Sequence, residues 1–284
     1  MSRSNLWKRK NRQAIILKIC GLLFLCFAML SITGCPGESL FNWYADDDSY
    51  EARIEEAIIA LDDEEYLKAW NILVDLQGDY PDDPVILQYL SNACAGMAGI
   101  DTFNFLEVID QLIDEDQAGS INMVGLVLGG PDATLSGEEI DVKIGHLETC
   151  AILELENIAD PNDDQIVQLG LVSLFHAALT IADIAVDDLG LGSIQLTEAG
   201  LHSLYSPPNP EANFDDIDIS ERIDNLSDDV VRIANSIDAI ITMLDLDSAE
   251  ENDLSESFEE FRYNIAGVDN VVTQQELEDY INGL

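Results

Sequence analysis

The sequence predicts an all-α fold in which helical hairpins are followed by a helical bundle. Apolar residues recur at intervals of three and four along most of the chain, which is the spacing of one face of an α-helix. The breaks between these segments are short and contain glycine, proline or clustered acidic residues, which end helices. Hydrophobic residues make up 47% of the chain, enough to form a buried core despite its high charge.

A basic stretch, an apolar run and a cysteine follow one another at the start of the chain. Six basic residues lie between Arg3 and Lys18, and the nearly apolar segment 14–30 leads to Ile32-Thr33-Gly34-Cys35. This order is typical of bacterial secretory signals. The last four residues resemble the lipobox of bacterial lipoproteins, in which the leader is removed before a cysteine that then carries acyl chains.

The lipobox resemblance implies a signal peptide over 1–34, a lipidated tether over 35–48, and attachment to a membrane through acylated Cys35. An ordinary signal peptide and an uncleaved membrane anchor are the alternatives. The expected location is the cell envelope, at the inner or the outer membrane, with the folded part outside the cytoplasm.

The chain beyond Cys35 is strongly acidic. It holds all 56 acidic residues and six of the 12 basic residues, which gives a formal charge of −50. Such a charge repels phosphate backbones and anionic headgroups, so it argues against nucleic-acid binding and leaves the acyl chains as the membrane contact. The simplest interpretation is a solvated surface suited to a salty or divalent-rich medium.

Amphipathic helices are predicted over the segment 49–117. The turns at 62–65 and 78–84 separate the first three of them, and the second turn contains two prolines. Two helices of about a dozen residues, closed by a proline-containing turn, are the plan of the tetratricopeptide repeat. The segment from Arg53 to about Asp83 resembles this repeat at Ala57, Ala60, Tyr66, Ala69, Leu73, Leu76 and Pro81.

A second unit is matched about one repeat length further on, at Leu87, Ser91 and Cys94. It departs from the repeat because Ile100 replaces the aromatic residue and no proline closes it. The resemblance implies a groove that binds a peptide or helix of a partner protein. The candidate contact residues are Glu56, Ile59 and Glu64, and an acidic groove favours a basic partner segment.

A helical bundle with a central apolar helix is predicted over 118–205. Ser136-Gly137-Glu138-Glu139 is a capping-box pattern that precedes an apolar stripe from Ile140 to Ile158. Asp160-Pro161 is expected to begin the central helix, which runs toward Val186. Gln168, His176 and Asp183 interrupt its apolar run and both flanks are acidic, which favours a buried core helix over a membrane span.

A proline-rich acidic loop over 206–218 is the best candidate boundary, and helices are expected over 219–284. In this last segment a stripe with steps of three and four runs from Ile223 to Leu244. Such a stripe either binds a partner helix or packs against the preceding helices of the same chain, and the second arrangement is favoured.

No pattern in the sequence is typical of catalysis. The three histidines, His146, His176 and His202, form no metal-binding pair, and there is no nucleophile elbow or phosphate-binding glycine loop. His176 is interpreted as a core histidine with a local hydrogen-bond partner. The prediction is a protein that is not an enzyme and uses no cofactor.

One calcium-like pattern stands near the C-terminus. Asp245, Asp247, Asp253 and Glu256 occupy the first, third, ninth and twelfth places of a loop that resembles an EF-hand. Ala249 replaces a ligand and Glu250 replaces the glycine of the turn, which argues against calcium binding.

Two cysteines remain after the leader and Cys35, namely Cys94 and Cys150. Both fall on predicted apolar helix faces. They either pair in a disulfide or serve as small buried hydrophobic residues.

The function predicted from these features is that of a noncatalytic, lipid-anchored envelope protein, a helical scaffold for protein–protein interaction. In plan it is similar to the outer-membrane protein assembly lipoprotein and to the helical T component of periplasmic solute transporters. The alternative is a periplasmic lipoprotein that binds a ligand or a divalent cation as an accessory component of a transporter.

Overall fold

The structure, a computed structural model, describes residues 49–100, 134–195, 204–205, 209, 211–244 and 262–283. The chain divides into two units, Met1–Ser49 and Tyr50–Leu284, and apart from Ser49 the described residues belong to the second. That part is mostly helical, which confirms the all-α prediction. The predicted leader, the lipidated Cys35 and the tether lie outside the described residues.

The described helices are α1 (Tyr50–Asp62), α2 (Tyr66–Asp79), α3 (Pro84–Met97), α4 (Gly137–His146), α5 (Leu153–Glu156), α6 (Asp163–Leu189), α7 (Ser220–Leu244) and α8 (Gln274–Gly283). A π-helical segment, Leu147–Ile152, joins α4 to α5. Two short strands, β1 (Thr134–Ser136) and β2 (Ser193–Gln195), pair in antiparallel register with Leu135 opposite Ile194. Strands of three residues are too short to show a period of two in the sequence, so they were not predicted.

Helices α1 to α3 pack around a small core of their own. Ala57, Ala60 and Ala69 are fully buried there, because alanine lets the helix backbones approach closely. Leu73 and Ile86 fill the space between the helices. The turn between α1 and α2 lies where the acidic residues 62–65 predicted it.

Helix α3 belongs to two cores at once. Its residues Ile86 and Leu90 face α1 and α2, whereas Leu87 and Cys94 are part of the larger core formed with α4 to α8. A helix buried on two sides needs apolar residues around most of its circumference, and α3 has them. The chain from Tyr50 onward forms one compact unit, to which α3 contributes on both of its faces.

The N-terminus of α4 has the predicted capping box. The Ser136 backbone N–H donates to Glu139 Oε2 at 2.9 Å, and the Glu139 backbone N–H donates to Ser136 Oγ at 3.3 Å. The apolar stripe behind it is buried at Ile140, Leu147 and Ala151, and it continues through the π-helical segment.

The long central helix α6 begins two residues later than the sequence predicted. Asn162, not Asp160, is the N-cap: its Oδ1 accepts from the Gln165 backbone N–H at 3.0 Å, and Gln165 Oε1 accepts from the Asn162 backbone N–H at 3.0 Å. This reciprocal pair satisfies two backbone donors at once, and Pro161 remains outside the helix. Within the described residues α6 is the one helix long and apolar enough to cross a membrane, but 89% of its most apolar window is buried.

Helix α7 packs along α6, as the stripe predicted. Leu226, Val230, Ile233 and Ile240 are buried in the shared core. Of the predicted boundary loop at 206–218, the described part at 211–218 is anchored to this core. Phe214 in that segment is fully buried, and its backbone N–H donates to Glu278 Oε1 on α8 at 2.8 Å. An isolated aromatic residue carries no periodic signal, so its burial could not be predicted.

The crossing of α6 and α7 depends on a glycine. A Cβ atom on Gly170 would lie 1.8 Å from Ser236 Oγ and 2.3 Å from Ser236 Cβ, and Ser236 is itself buried. The helices can therefore approach this closely only where α6 has no side chain.

Gly170→Ala is expected to lower the free energy of unfolding by about 1–3 kcal/mol, because the added methyl forces the helices apart. Gly145→Ala is the matched control: a Cβ there has no neighbouring atom within 4 Å. The control should be neutral or stabilising, since alanine is the better helix former. Urea unfolding measures both, and the double variant Gly170→Ala/Ser236→Gly should recover part of the loss. A Gly170→Ala protein as stable as Gly145→Ala would contradict the close crossing.

Candidate functional site

The predicted contact residues lie at the turn end of the α1–α2 hairpin. Glu56 and Ile59 are one helical turn apart on the outer face of α1, and Ile59 is 52% exposed. Glu64 lies in the turn between the helices, exposed and with a positive φ of 60°. On α2, Leu67 follows this turn and is 63% exposed. The structure therefore places two exposed apolar side chains, Ile59 and Leu67, near the same end of the hairpin.

The surroundings of these two apolar side chains are acidic. Basic residues on the hairpin are already paired with carboxylates: Arg53 lies 2.6 Å from Asp75, and Lys68 lies 3.7 Å from Glu56. The exposed acidic residues at the turn end are Glu55, Glu56, Asp62, Asp63, Glu64 and Glu65. We call this surface, Ile59 and Leu67 with these six carboxylates, the hairpin-end surface.

A chain of ionisable side chains connects the interior of the α6–α7 interface with the surface. His176 Nδ1 lies 2.6 Å from Asp229 Oδ2, and Arg232 Nη1 lies 3.1 Å from the other oxygen of that carboxylate. Arg232 Nε donates to Glu156 Oε1 at 2.8 Å. The side chains of His176 and Asp229 are 2% and 0% exposed, whereas that of Glu156 is 43% exposed.

Burial dominates the electrostatics of this network. It raises the pKa of the Asp229 carboxyl, while the hydrogen bond and charge of His176 and the charge of Arg232 act in the opposite direction. A buried carboxylate without such partners would be strongly unfavourable. His176 on α6 and Asp229 on α7 are almost fully buried, so their contact joins the two helices in the interior of the protein.

The sequence prediction for His176 was partly wrong. The residue is a buried core histidine, as predicted, but its partner Asp229 is 53 residues away and not local. One signal could have indicated the pair: Asp229 interrupts the apolar stripe of α7 between Leu226 and Val230, and an aspartate at a core position needs a partner.

A second ionisable cluster lies where α4, α6 and α7 meet. Arg222 Nη1 lies 3.0 Å from Asp183 Oδ2, and Arg222 Nη2 lies 2.7 Å from Asp187 Oδ2. The Asp141 carboxyl on α4 lies near enough to Asp183 to act on its pKa. Burial raises the pKa of Asp183 to about 6, Arg222 opposes this rise, and the neighbouring Asp187 and Asp141 add to it.

Asp183→Asn is expected to change how stability depends on pH. The pKa of Asp183 is higher in the folded protein than in the unfolded chain, so the folded state binds more protons between about pH 4 and pH 6. This carboxyl therefore favours folding below pH 4, and its contribution is lost as the pH rises to 6. The variant should gain about 1–2 kcal/mol relative to the native protein across this range, after allowance for solvent screening.

Urea unfolding at half-unit pH steps measures that difference. Arg222→Gln removes the group that lowers the Asp183 pKa, so it should move the effect of Asp183→Asn to higher pH when the two changes are combined. A difference between Asp183→Asn and the native protein that stays constant from pH 4 to pH 7 would contradict the assignment.

Cys94 of α3 and Cys150 of the π-helical segment are joined in a disulfide, with their Cα atoms 6.0 Å apart. Of the alternatives that the sequence left open, the structure therefore has the paired form. The bond links α3 to the π-helical segment on the face of α3 that enters the larger core.

Comparison with protein-family models, curated proteins and solved structures gives no match. The interpretation of this chain therefore depends on its own residues.

The predicted calcium-like residues Asp245, Asp247, Asp253 and Glu256 lie outside the described residues, so that prediction stays a prediction. Over the described ranges, no group of three or more histidine, cysteine, aspartate or glutamate side chains is arranged to hold a metal ion. The Asp141–Asp183–Asp187 cluster already has Arg222 as its cation.

Proposed function

We propose that this protein is a noncatalytic helical scaffold, anchored in a bacterial cell envelope through acylated Cys35, that binds a basic segment of a partner protein at the hairpin-end surface. The observation that carries the proposal is the exposure of Ile59 and Leu67, 52% and 63%, among six carboxylates, of which Glu56 and Glu65 share one basic partner, Lys68. An apolar anchor surrounded by one sign of charge suits an amphipathic partner helix with lysine or arginine beside its apolar face.

The Cys94–Cys150 disulfide supports a location outside the cytoplasm, because disulfides persist in oxidising compartments and are rare in reducing ones. The lipid anchor is supported by the lipobox-like residues Ile32-Thr33-Gly34-Cys35. The noncatalytic role is supported by the burial of the His176–Asp229 pair, whose side chains are 2% and 0% exposed.

Site-specific photocrosslinking in cells tests the proposed surface. A photoreactive phenylalanine replaces Leu67 in one protein and Val142 in another, since Val142 on α4 is similarly exposed at 55%. We expect a discrete crosslinked product from position 67 and none from position 142. Because charge complementarity is screened by salt, the product in isolated membranes should diminish as the salt concentration rises.

Two variants complete the test. Ile59→Asp should abolish the crosslink from position 67 without lowering the melting temperature, since Ile59 is exposed. Cys35→Ser should abolish it in cells if the anchor brings the two proteins together. Equal products from positions 67 and 142, or none from either, would contradict the proposed surface. If the product from position 67 persists with Cys35→Ser, the proposed role of the anchor is contradicted but the proposed surface is not.

A further inference from the structure

Residues 211–217, which we call the strap, lie against α8 in the way a bound peptide lies against its receptor. Burial alternates along the strap: Ala212 and Phe214 are buried, whereas Asn213 and Asp215 are exposed. A period of two is that of an extended chain with one face covered. The strap therefore presents two side chains to the protein and the intervening ones to solvent.

Helix α8 binds the backbone of the strap. The Ala212 backbone N–H donates to Asn282 Oδ1 at 2.7 Å, and Asn282 Nδ2 donates to the Ala212 backbone oxygen at 3.3 Å. One turn earlier on α8, Glu278 Oε1 accepts from the Phe214 backbone N–H at 2.8 Å. In peptide recognition such backbone hydrogen bonds supply affinity, and the spaces for alternate side chains supply specificity. This arrangement suits an extended segment with a small residue and, two positions later, an aromatic residue.

The charge of the strap is a poor match for its surroundings. Gln274 Nε2 donates to Asp215 Oδ1 at 3.2 Å and to Glu278 Oε1 at 2.9 Å, so a neutral amide joins two carboxylates. A further carboxylate of the strap acts on α6. Burial raises the pKa of Asp188, the charges of Glu278 and Asp216 raise it further, and the hydrogen bond from Tyr205 opposes the rise. Acidic groups of the strap therefore lie beside acidic groups of the helices that hold it.

We propose that Glu278, Asn282 and the space filled by Phe214 form a binding site for an extended segment of a partner protein, and that the strap occupies this site until such a segment displaces it. The preferred segment has a small residue, any residue and an aromatic residue, followed by lysine or arginine where the strap has two aspartates. Its backbone makes the same three hydrogen bonds, and its cations meet the neighbouring carboxylates of α6 and α8. This site is separate from the hairpin-end surface and does not depend on it.

Peptide binding to the full-length Phe214→Ala protein in detergent tests the proposal, because this change removes the anchor of the strap and leaves α8 intact. The probes are two fluorescent heptapeptides: Glu-Ala-Asn-Phe-Asp-Asp-Ile, which copies the strap, and Glu-Ala-Asn-Phe-Lys-Lys-Ile. By fluorescence polarisation at low salt, the basic peptide should bind the variant about tenfold more tightly than the copy does. Salt should reduce this difference. The native protein should bind the basic peptide at least about tenfold more weakly than the variant does, since its own strap fills the site.

Two further variants and a third peptide separate the parts of the site. Adding Asn282→Ala to Phe214→Ala removes the side chain that holds the peptide backbone and should abolish binding. Adding Asn235→Ala, at an exposed position of α7, is the matched control and should leave binding unchanged. A basic peptide with alanine in place of its phenylalanine should not bind, because it lacks the aromatic anchor.

A second experiment keeps the anchor of the strap and so does not depend on the folding of Phe214→Ala. Asp216→Lys places a cation beside Asp188 and Glu278, whereas Asp238→Lys makes the same charge change at an exposed position of α7. Asp216→Lys should raise the melting temperature by about 1–2 °C more than Asp238→Lys does, because it relieves the repulsion between the strap and its site.

Three results would overturn the proposal. The first is a folded Phe214→Ala protein that binds neither heptapeptide. The second is equal binding of the peptides with phenylalanine and with alanine, which would show general attraction of cations to an acidic protein. The third is an equal change in melting temperature with Asp216→Lys and Asp238→Lys, which would remove the preference for a basic segment.

Discussion

Asp229→Ala is expected to lower the free energy of unfolding by about 3–5 kcal/mol, the usual cost of removing one partner from a buried ion pair. The carboxylate has no exposed surface and bonds both His176 and Arg232. Its loss leaves the His176 Nδ1–H buried without an acceptor and one donor of Arg232 unpaired. Urea unfolding followed by circular dichroism measures the change.

The chain offers a close control for this experiment. Asp228 precedes Asp229, also faces Arg232, at 4.0 Å, and its side chain is 70% exposed. Asp228→Ala removes the same formal charge and should change stability by no more than about 0.5 kcal/mol. A similar loss in both variants would show that net charge and not burial governs the effect.

A double-mutant cycle separates the pair from its surroundings. His176→Leu and Asp229→Leu should each destabilise strongly, and the double variant should lose clearly less than the sum of the two. Apolar residues of similar volume can replace a buried hydrogen-bonded pair with little cost, whereas a single replacement leaves an unpaired polar group. Additive losses would mean that the two side chains do not interact.

Reduction of the Cys94–Cys150 disulfide is expected to cost about 4 kcal/mol of stability. The cysteines are 56 residues apart, and in the chain-entropy account a loop of this length gives about that value. The bond restricts the unfolded chain and joins α3 to the π-helical segment within the larger core. For a protein of this size the melting temperature should fall by roughly 8–15 °C.

Thermal unfolding with and without reductant measures this loss after mass spectrometry has verified the oxidised state. The variant Cys94→Ala/Cys150→Ala should melt near the temperature of the reduced protein and should not respond to reductant. An oxidised native protein that melts at the same temperature in reductant would contradict a stabilising bond.

Local patterns predicted most of the elements correctly. The turn at 62–65, the capping box at Ser136 and the stripe of α7 all depend on residues within a few positions of one another, and the structure contains all three. The start of α6 was missed by two residues because Asp160-Pro161 and Asn162-Gln165 are both good starts by sequence. The reciprocal hydrogen bonds of Asn162 and Gln165 decide between them.

The sequence predicted candidate site residues only where helical spacing shows that a side chain is exposed. The sequence predicted Ile59 and Glu56 as contact residues because they alternate with the buried positions of α1, and both are exposed in the structure. It did not predict Leu67, the other apolar member of the hairpin-end surface, although the spacing that buries Ala69 and Leu73 also places Leu67 on the opposite face of α2. The His176–Asp229 pair and the Asp183–Arg222 cluster were not predicted at all.

The sequence by itself determined the helical character of this protein, because helix periodicity, caps and breakers act over one or two turns of chain. Only the tertiary structure decided that Cys94 meets Cys150, that His176 meets Asp229 and that Phe214 enters the core. Each of these contacts joins residues far apart in the chain. The rotation and register of packed helices decide which buried groups meet. An apolar stripe predicts that a helix face is buried, but it does not specify the helix that covers it.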